Sequence, residues 1–288
     1  VVDVNGHAGR LLAALVANRS GLHLDDLIDV LWPTEPPPSA RAALHVHLSR
    51  LRKVLDECGP DGPMIDRHGS QYRLDLGTAA VDVDGFEALR RRALPLVGVD
   101  PGEALTLIDQ ALDLAVAPAF TVDGESVDPA ATDHLHLAVL DLAEERVECL
   151  LALDRFLDAE RAGLGLVDAE PYRERGWALV MRAQGLHGRR RDALATFRRA
   201  RVELVNGLGI EPGDELQRIQ LAILAGDSTA LRGAAAAEVE SLLPPASLGR
   251  LVGRHDELAT AERILAARVP LVILGAPGVG KTRLASEL

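Results

Sequence analysis

Ser39-Ala-Arg-Ala-Ala-Leu-His-Val-His-Leu-Ser-Arg-Leu-Arg-Lys-Val-Leu55 is the stretch on which the reading of the chain turns. Leu44, Leu48, Leu51 and Leu55 recur at spacings of four, three and four, the mark of one buried helical stripe. At about 100° per residue, Val46, Ser49 and Lys53 fall on the opposite face, with His45 and Arg50 beside them. From Ser39 to Lys53 there are Arg41, Arg50, Arg52 and Lys53 and no acid. Ser39 can cap this helix, which is expected to run to about Cys58. A helix of this kind fits the DNA major groove and can present outward side chains to base edges. Taken by itself, a cationic helix face is more often simply solvated, and His45, His47 and His68 are surface histidines by default.

Working outward, Leu11, Leu12, Leu15 and Val16 repeat at helical spacing, and Asn18 to Gly21 stop that helix. Asp25 and Asp26 open a second helix that ends near Trp32-Pro33. Pro36, Pro37 and Pro38 force an extended loop. After the third helix, Met64-Ile65 and Tyr72-Arg73-Leu74 read as two strands around a turn at His68-Gly69-Ser70. Arg67, His68 and Arg73 would let that hairpin lie along a phosphate backbone or enter the minor groove.

The 288 residues suffice for about two domains. Hydrophobic residues make up 48% and aromatics 3%, so the core is built from Leu, Ala and Val, and the composition favours helix. The net charge of −12 argues against an indiscriminate nucleic-acid binder and leaves a local basic stripe as the place where phosphate attraction can reside. Cys58 and Cys149 form no CxxC pair, which argues against a disulfide framework or a zinc site and fits a reducing cytoplasm. No run of roughly 18 apolar residues predicts a membrane span, and no signal peptide opens the chain. Val1 in place of Met, and an end inside a motif, are what a fragment cut at both ends would show.

Residues 82–232 read as successive helices, broken at Asp100-Pro101-Gly102 and Glu170-Pro171. Ala193, Phe197 and Ala200 follow an A-x3-F-x2-A pattern, with Trp177 sixteen residues and Gly188 five residues before Ala193. That is tetratricopeptide spacing. Ala104, Ile108 and Ala111 repeat the signature, and Ala159 with Pro171 gives a weaker copy. Residues 233–250, with Ala234–Ala237 and Pro244-Pro245, read as a linker.

At the C-terminus, Leu271–Leu274 is a short apolar strand. Gly275-Ala-Pro-Gly-Val-Gly-Lys-Thr282 follows, and Arg283-Leu-Ala begins a helix. This is G-x4-G-K-T in strand–loop–helix context. Gly275, Gly278 and Gly280 let backbone N–H groups turn toward phosphate oxygens. Lys281 would meet the outer phosphates of ATP and Thr282 would hold Mg²⁺. The chain stops six residues after Thr282, so hydrolysis by these residues alone is not expected; ATP and Mg²⁺ belong to a longer protein, and DNA binding needs neither.

Leu44-His-Val-His-Leu-Ser-Arg-Leu-Arg-Lys-Val-Leu55 resembles the recognition helix of an OmpR/PhoB-type winged helix, and Gly69-Ser-Gln-Tyr-Arg-Leu74 resembles the end of its wing. Tyr172-Arg-Glu-Arg175 through Ala200-Arg201, Gly207–Gly213 and Glu215-Leu216 resemble the bacterial transcriptional activator domain, and Val81-Asp82 to Phe86-Glu87 resembles its entry. The combination, over roughly 9–232, is similar to the Streptomyces antibiotic regulatory protein (SARP) family in its larger, ATPase-bearing form. Gly253-Arg254 with Glu257-Leu258 resembles the entry of a STAND-type signalling ATPase, where Arg254 would approach the nucleotide or sit in a surface loop.

The resemblance implies a winged helix that binds direct repeats near a promoter and a helical domain that supports homodimerisation. Together they would recruit RNA polymerase to activate biosynthetic gene clusters. Contacts would fall on His47, Ser49, Arg50 and Arg52, and on His68 and Tyr72 from the wing. With the charge argument, the candidate DNA-binding set is Arg41, His45, His47, Ser49, Arg50, Arg52, Lys53, Arg67, His68 and Tyr72. Trp32 and the proline-rich loop match the family's polymerase-facing loop. The sequence departs from the family in three places: the strands that normally precede the winged helix are mostly absent, Ala42 or Ala43 stands where Arg or Asn is usual, and Gln71 replaces the usual Gly before the wing Tyr.

The expected fold is thus mainly α: a winged helix-turn-helix over 1–77, a tetratricopeptide-like helical domain over 78–232, a linker over 233–250 and the truncated beginning of an α/β P-loop domain over 251–288. The expected function is a DNA-binding, non-enzymatic, cytoplasmic activator. The alternatives are a STAND-type ATPase whose winged helix and helical repeats bind protein partners, and a plain helical scaffold. No Ser/His/Asp constellation has a supporting context.

Overall fold

A computed structural model describes residues 4–115 and 119–232. The linker and the P-loop residues Arg254, Gly275, Gly278, Gly280, Lys281 and Thr282 lie outside the described residues. Contacts divide the chain into two units, Val1–Leu221 and Ala222–Leu288. The first holds an N-terminal lobe and a helical lobe, and the described residues are mainly helical.

The N-terminal lobe is built from three helices and three strands. Helix α1 (Gly6–Ala17) buries Leu11, Ala14 and Leu15. Helix α2 (Leu24–Leu31) opens with the His23 amide donating to Asp26 Oδ2 at 3.0 Å, and it buries Leu27, Ile28 and Leu31. Helix α3 (Ala40–Asp56) buries Leu44, Leu48, Leu51 and Leu55, the expected stripe. Ser39 holds the N-cap position but its side chain makes no cap bond; its carbonyl accepts from Ala43 N, and Ala40 N donates to Pro37 O at 2.9 Å. The start of α3 is therefore fixed by the proline loop and not by a hydroxyl.

Strands β2 (Met64–His68) and β3 (Gln71–Asp75) pair antiparallel across the expected turn, where Gly69 has φ +65°. A strand that sequence reading did not anticipate, β1 (Leu22–His23), pairs with β3 and completes a sheet in the order β1-β3-β2. Two residues are too few to show alternation. Their strand character comes from lying beside β3.

In the helical lobe, α4 (Asp82–Ala93), α5 (Pro101–Leu114), α6 (Pro129–Ala152), α7 (Phe156–Ala169), α8 (Glu174–Leu186) and α9 (Arg190–Leu208) each pack on the next. Both expected breaks are present. Asp100 and Pro101 start α5, with Asp100 Oδ1 accepting from Glu103 N at 3.1 Å, and Pro171 lies between α7 and α8. Asp128 and Pro129 start α6 in the same way. Ala104, Ile108, Ala111, Ala159, Ala193 and Ala200 are fully buried, so small side chains let neighbouring helices approach. A Cβ on Gly163 of α7 would stand 2.8 Å from Val180 Cγ2 of α8, so these two helices touch there.

Helix α6 carries Asp141, Glu144, Glu145 and Glu148 toward Arg173, Arg175 and Arg182. Glu144, 3% exposed, accepts from Arg173 at 2.5 Å and lies 3.3 Å from Arg175, while Arg182 meets Glu148 at 2.5 Å. Burial pushes the Glu145 carboxyl above the ordinary value, with Arg175 opposing. Cys58 is exposed and Cys149 buried, both free; burial pushes the Cys149 thiol up to about 12, so it is chemically quiet.

Helical reading of this region misses a small hairpin, β4 (Thr121–Val122) with β5 (Glu125–Ser126). Its signal is nevertheless in the sequence: Asp123-Gly124 is a type I′ pair, and both residues take positive φ, +52° and +82°.

Candidate nucleic-acid interface

The stripe of α3 settles which of its side chains can face a ligand. With the leucines turned inward against α1, α2 and β2, Arg41, Ala42, His45, Val46, Ser49, Arg50 and Lys53 are exposed. Arg41 lies 3.3 Å from Asp25 in an exposed pair of little energetic weight. Among the described residues Arg50 and Lys53 have no ion pair, so their charge is available. On the hairpin, Arg67, His68 and Arg73 are exposed as well. Arg67 bends back to donate to Gly69 O at 2.8 Å and lies 5.6 Å from the centre of the Tyr72 ring.

Three residues of the candidate set are placed differently from the sequence-based expectation. Tyr72 is 1% exposed and belongs to the lobe's core with Leu51, Leu55 and Leu74, so it cannot contact DNA from the wing; alternation along β3 turns it inward. Arg52 is half-buried and donates through Nε and Nη2 to Ile65 O of β2, at 3.4 and 3.3 Å. It ties the hairpin to α3. His47 is half-buried and stacked on His7 of α1, ring centres 4.7 Å apart, with Trp32 5.7 Å from His7 and 6.3 Å from His47. Burial, then His7 and Arg50, lower the His47 pKa, so the neutral ring is favoured over the cation a phosphate would prefer.

Arg52→Ala is expected to leave the exposed cations of α3 in place yet loosen the hairpin. Hydrogen exchange of β2 and β3 amides should quicken relative to those of α8, and the global melting temperature should fall by no more than a few degrees.

Sequence reading also missed the joint between the lobes. The β4–β5 hairpin packs on α1, and a Cβ on Gly9 would stand 3.3 Å from Val122 Cγ1. Arg10 pairs with Glu125 at 2.9 Å, Asn18 donates to Asp128 Oδ2 at 3.0 Å, and Arg19 meets Asp84 at 2.9 Å. A shallow cleft beside the last pair is lined by Arg19, Arg73, Leu74, Asp75, Leu76 and Asp84. The helical lobe thus grips α1 and leaves the outward face of α3 open.

The family model of the bacterial transcriptional activator domain matches residues 81–224, from the entry to α4 to the end of α10 (Asp214–Ala225). This chain belongs to that family.

Its relatives bear out the SARP-type resemblance. The chain is 32% identical to the Regulatory protein DnrI of Streptomyces peucetius, over 76% of the chain and 84% of DnrI. It is 32% identical to the Regulatory protein AfsR of Streptomyces coelicolor, over 96% of the chain and 29% of AfsR, and so spans under a third of that relative's length. A solved structure of Mycobacterium tuberculosis EmbR, bound in that case to a low-affinity phosphopeptide, superposes with a TM-score of 0.72 at 27% identity, covering 85% of the chain and 68% of EmbR. AfsR and DnrI are named as regulatory proteins, and EmbR as a transcriptional regulatory protein. Among the described residues no helix is long and apolar enough to cross a membrane.

Proposed function

We propose that the N-terminal lobe of this activator-family chain is a winged helix that reads promoter DNA, with α3 in the major groove and the β2–β3 hairpin as the wing on the backbone. The observation that carries the reading is the outward face of α3. It is cationic, and among the described residues Arg50 and Lys53 have no ion pair, in a chain of net charge −12. Phosphate attraction needs such a local concentration of charge, and the acidic remainder of the molecule suppresses indiscriminate sticking. His45, Ser49, Arg50 and Lys53 are the base- and phosphate-contact candidates on the helix, Arg41 one at its start, and Arg67, His68 and Arg73 those on the wing.

In the same reading the protein is a cytoplasmic activator that binds repeated promoter sites as a homodimer. Its exposed loop at 33–36, next to the half-buried Trp32, would face RNA polymerase. The helical lobe is tetratricopeptide-like, and the burial of Trp177, Ala193, Phe197 and Ala200 supports that. The C-terminal G-x4-G-K-T begins a STAND-type P-loop module that takes ATP through Lys281 and Mg²⁺ through Thr282 in a longer protein, with Arg254 near the nucleotide; target clusters would be biosynthetic.

Titration of a fluorescent upstream duplex with this chain at rising salt tests the reading. Affinity is expected to fall linearly on a log–log plot with a slope of several ions. A folded chain that binds no duplex at low salt would remove the proposal.

A further inference from the structure

The centre of the outward face of α3 holds a residue that cation–phosphate attraction does not use. Val46 is 50% exposed, midway along the helix, on the side away from α1, α2 and β2. A β-branched residue there costs a little helix propensity and recovers no burial. Ala42, four residues earlier, and Ser49, three residues later, are exposed on the same face. These short side chains run along the ridge of the helix toward Lys53, with His45 and Arg50 standing on its two flanks. Such a ridge lets the helix axis approach the floor of a groove while the cations reach its walls.

The floor of the major groove presents hydrogen-bond donors and acceptors and one apolar group, the C5 methyl of thymine. Val46 has no donor or acceptor to offer. Its χ1 is stiff, so its two methyl groups are held in fixed directions without further loss of entropy on binding. We propose that Val46, with Ala42 beside it, selects thymine at one position of the bound sequence by packing on the C5 methyl. The assignment rests on α3 being the groove-reading helix.

The test needs a duplex selected by this chain from a random library, with each thymine replaced singly by deoxyuridine. That exchange removes one methyl group and leaves base pairing and the O4 acceptor intact. The unaltered chain is expected to lose roughly three- to tenfold in affinity at one position. Val46→Ala should bind the thymine and deoxyuridine duplexes equally at that position and keep its dependence on salt. Circular dichroism checks that the variant is folded, which an exposed side chain permits. The proposal is overturned if the selected duplex binds well and no deoxyuridine exchange weakens it, or if Val46→Ala pays the same penalty as the parent. Failure to bind any duplex is a distinct result: it overturns the groove reading of α3, and this assignment with it.

Discussion

Replacing Arg50 and Lys53 together by alanine is expected to lower affinity for the cognate duplex by about two orders of magnitude while leaving the melting temperature within a degree or two. Both side chains are exposed on α3, and neither has an ion pair among the described residues. Removal therefore orphans no partner inside the protein, and surface changes of this kind move stability by about half a kcal/mol or less. On the DNA side, a base-contacting Arg is worth about 1–3 kcal/mol, and each lost phosphate contact lowers the salt slope by about one. Single variants divide the roles. Lys53→Ala should weaken all duplexes alike, and Arg50→Ala should weaken the cognate one most if it reaches a base edge. Anisotropy titrations at several salt concentrations, with cognate and scrambled duplexes, measure both quantities. Unchanged affinity and slope in the double variant would place the DNA on another surface.

Trp177→Ala is expected to be among the most destabilising single changes in the helical lobe, costing about 3–5 kcal/mol. Trp177 is 1% exposed, its Nε1 donates to Pro171 O at 2.9 Å, and the Arg199 guanidinium lies 5.6 Å from the ring centre. One side chain thus joins the loop before α8 to α9. Its removal leaves a cavity, an unpaired carbonyl and a cation without its ring. Trp177→Phe should recover most of the burial and lose mainly the hydrogen bond, about 1 kcal/mol. Urea unfolding followed by circular dichroism distinguishes the two variants. A loss below 1 kcal/mol for alanine would mean that the lobe repacks around the site.

The lobe joint gives these variants separate readouts. Trp177 is remote in sequence from α3, and the contacts that connect the lobes run through Arg10, Asn18 and Arg19 of the α1 segment. Of these, Arg10 meets the β4–β5 hairpin, whose turn is legible in the sequence as Asp123-Gly124, whereas Asn18 and Arg19 reach the start of α6 and α4.

Periodicity and punctuation settled much of this protein from the sequence alone. Leucines at four-three-four spacing fix which side of α3 is buried, because a helix turns by about 100° per residue whatever surrounds it. The break read at Asp100-Pro101-Gly102 is a helix start in the structure, and an Asp-Pro pair that the reading passed over, at 128–129, is another, because a capping carboxylate and a ring without an N–H suit the first turn. The tertiary structure decided what the flanking positions do. At about 80° from Leu44, Arg52 sits at the margin of the buried stripe, and the carbonyl of Ile65 captures it; Lys53, at about 180°, stays in solvent. His47 meets His7 and Trp32 across two other helices, Tyr72 turns into the core, and β1 becomes a strand by lying beside β3. Local spacing states which way a side chain leaves its own helix or strand. What it meets there is supplied by segments distant in sequence, and that meeting separates the residues left open to a ligand from those that hold the lobe together.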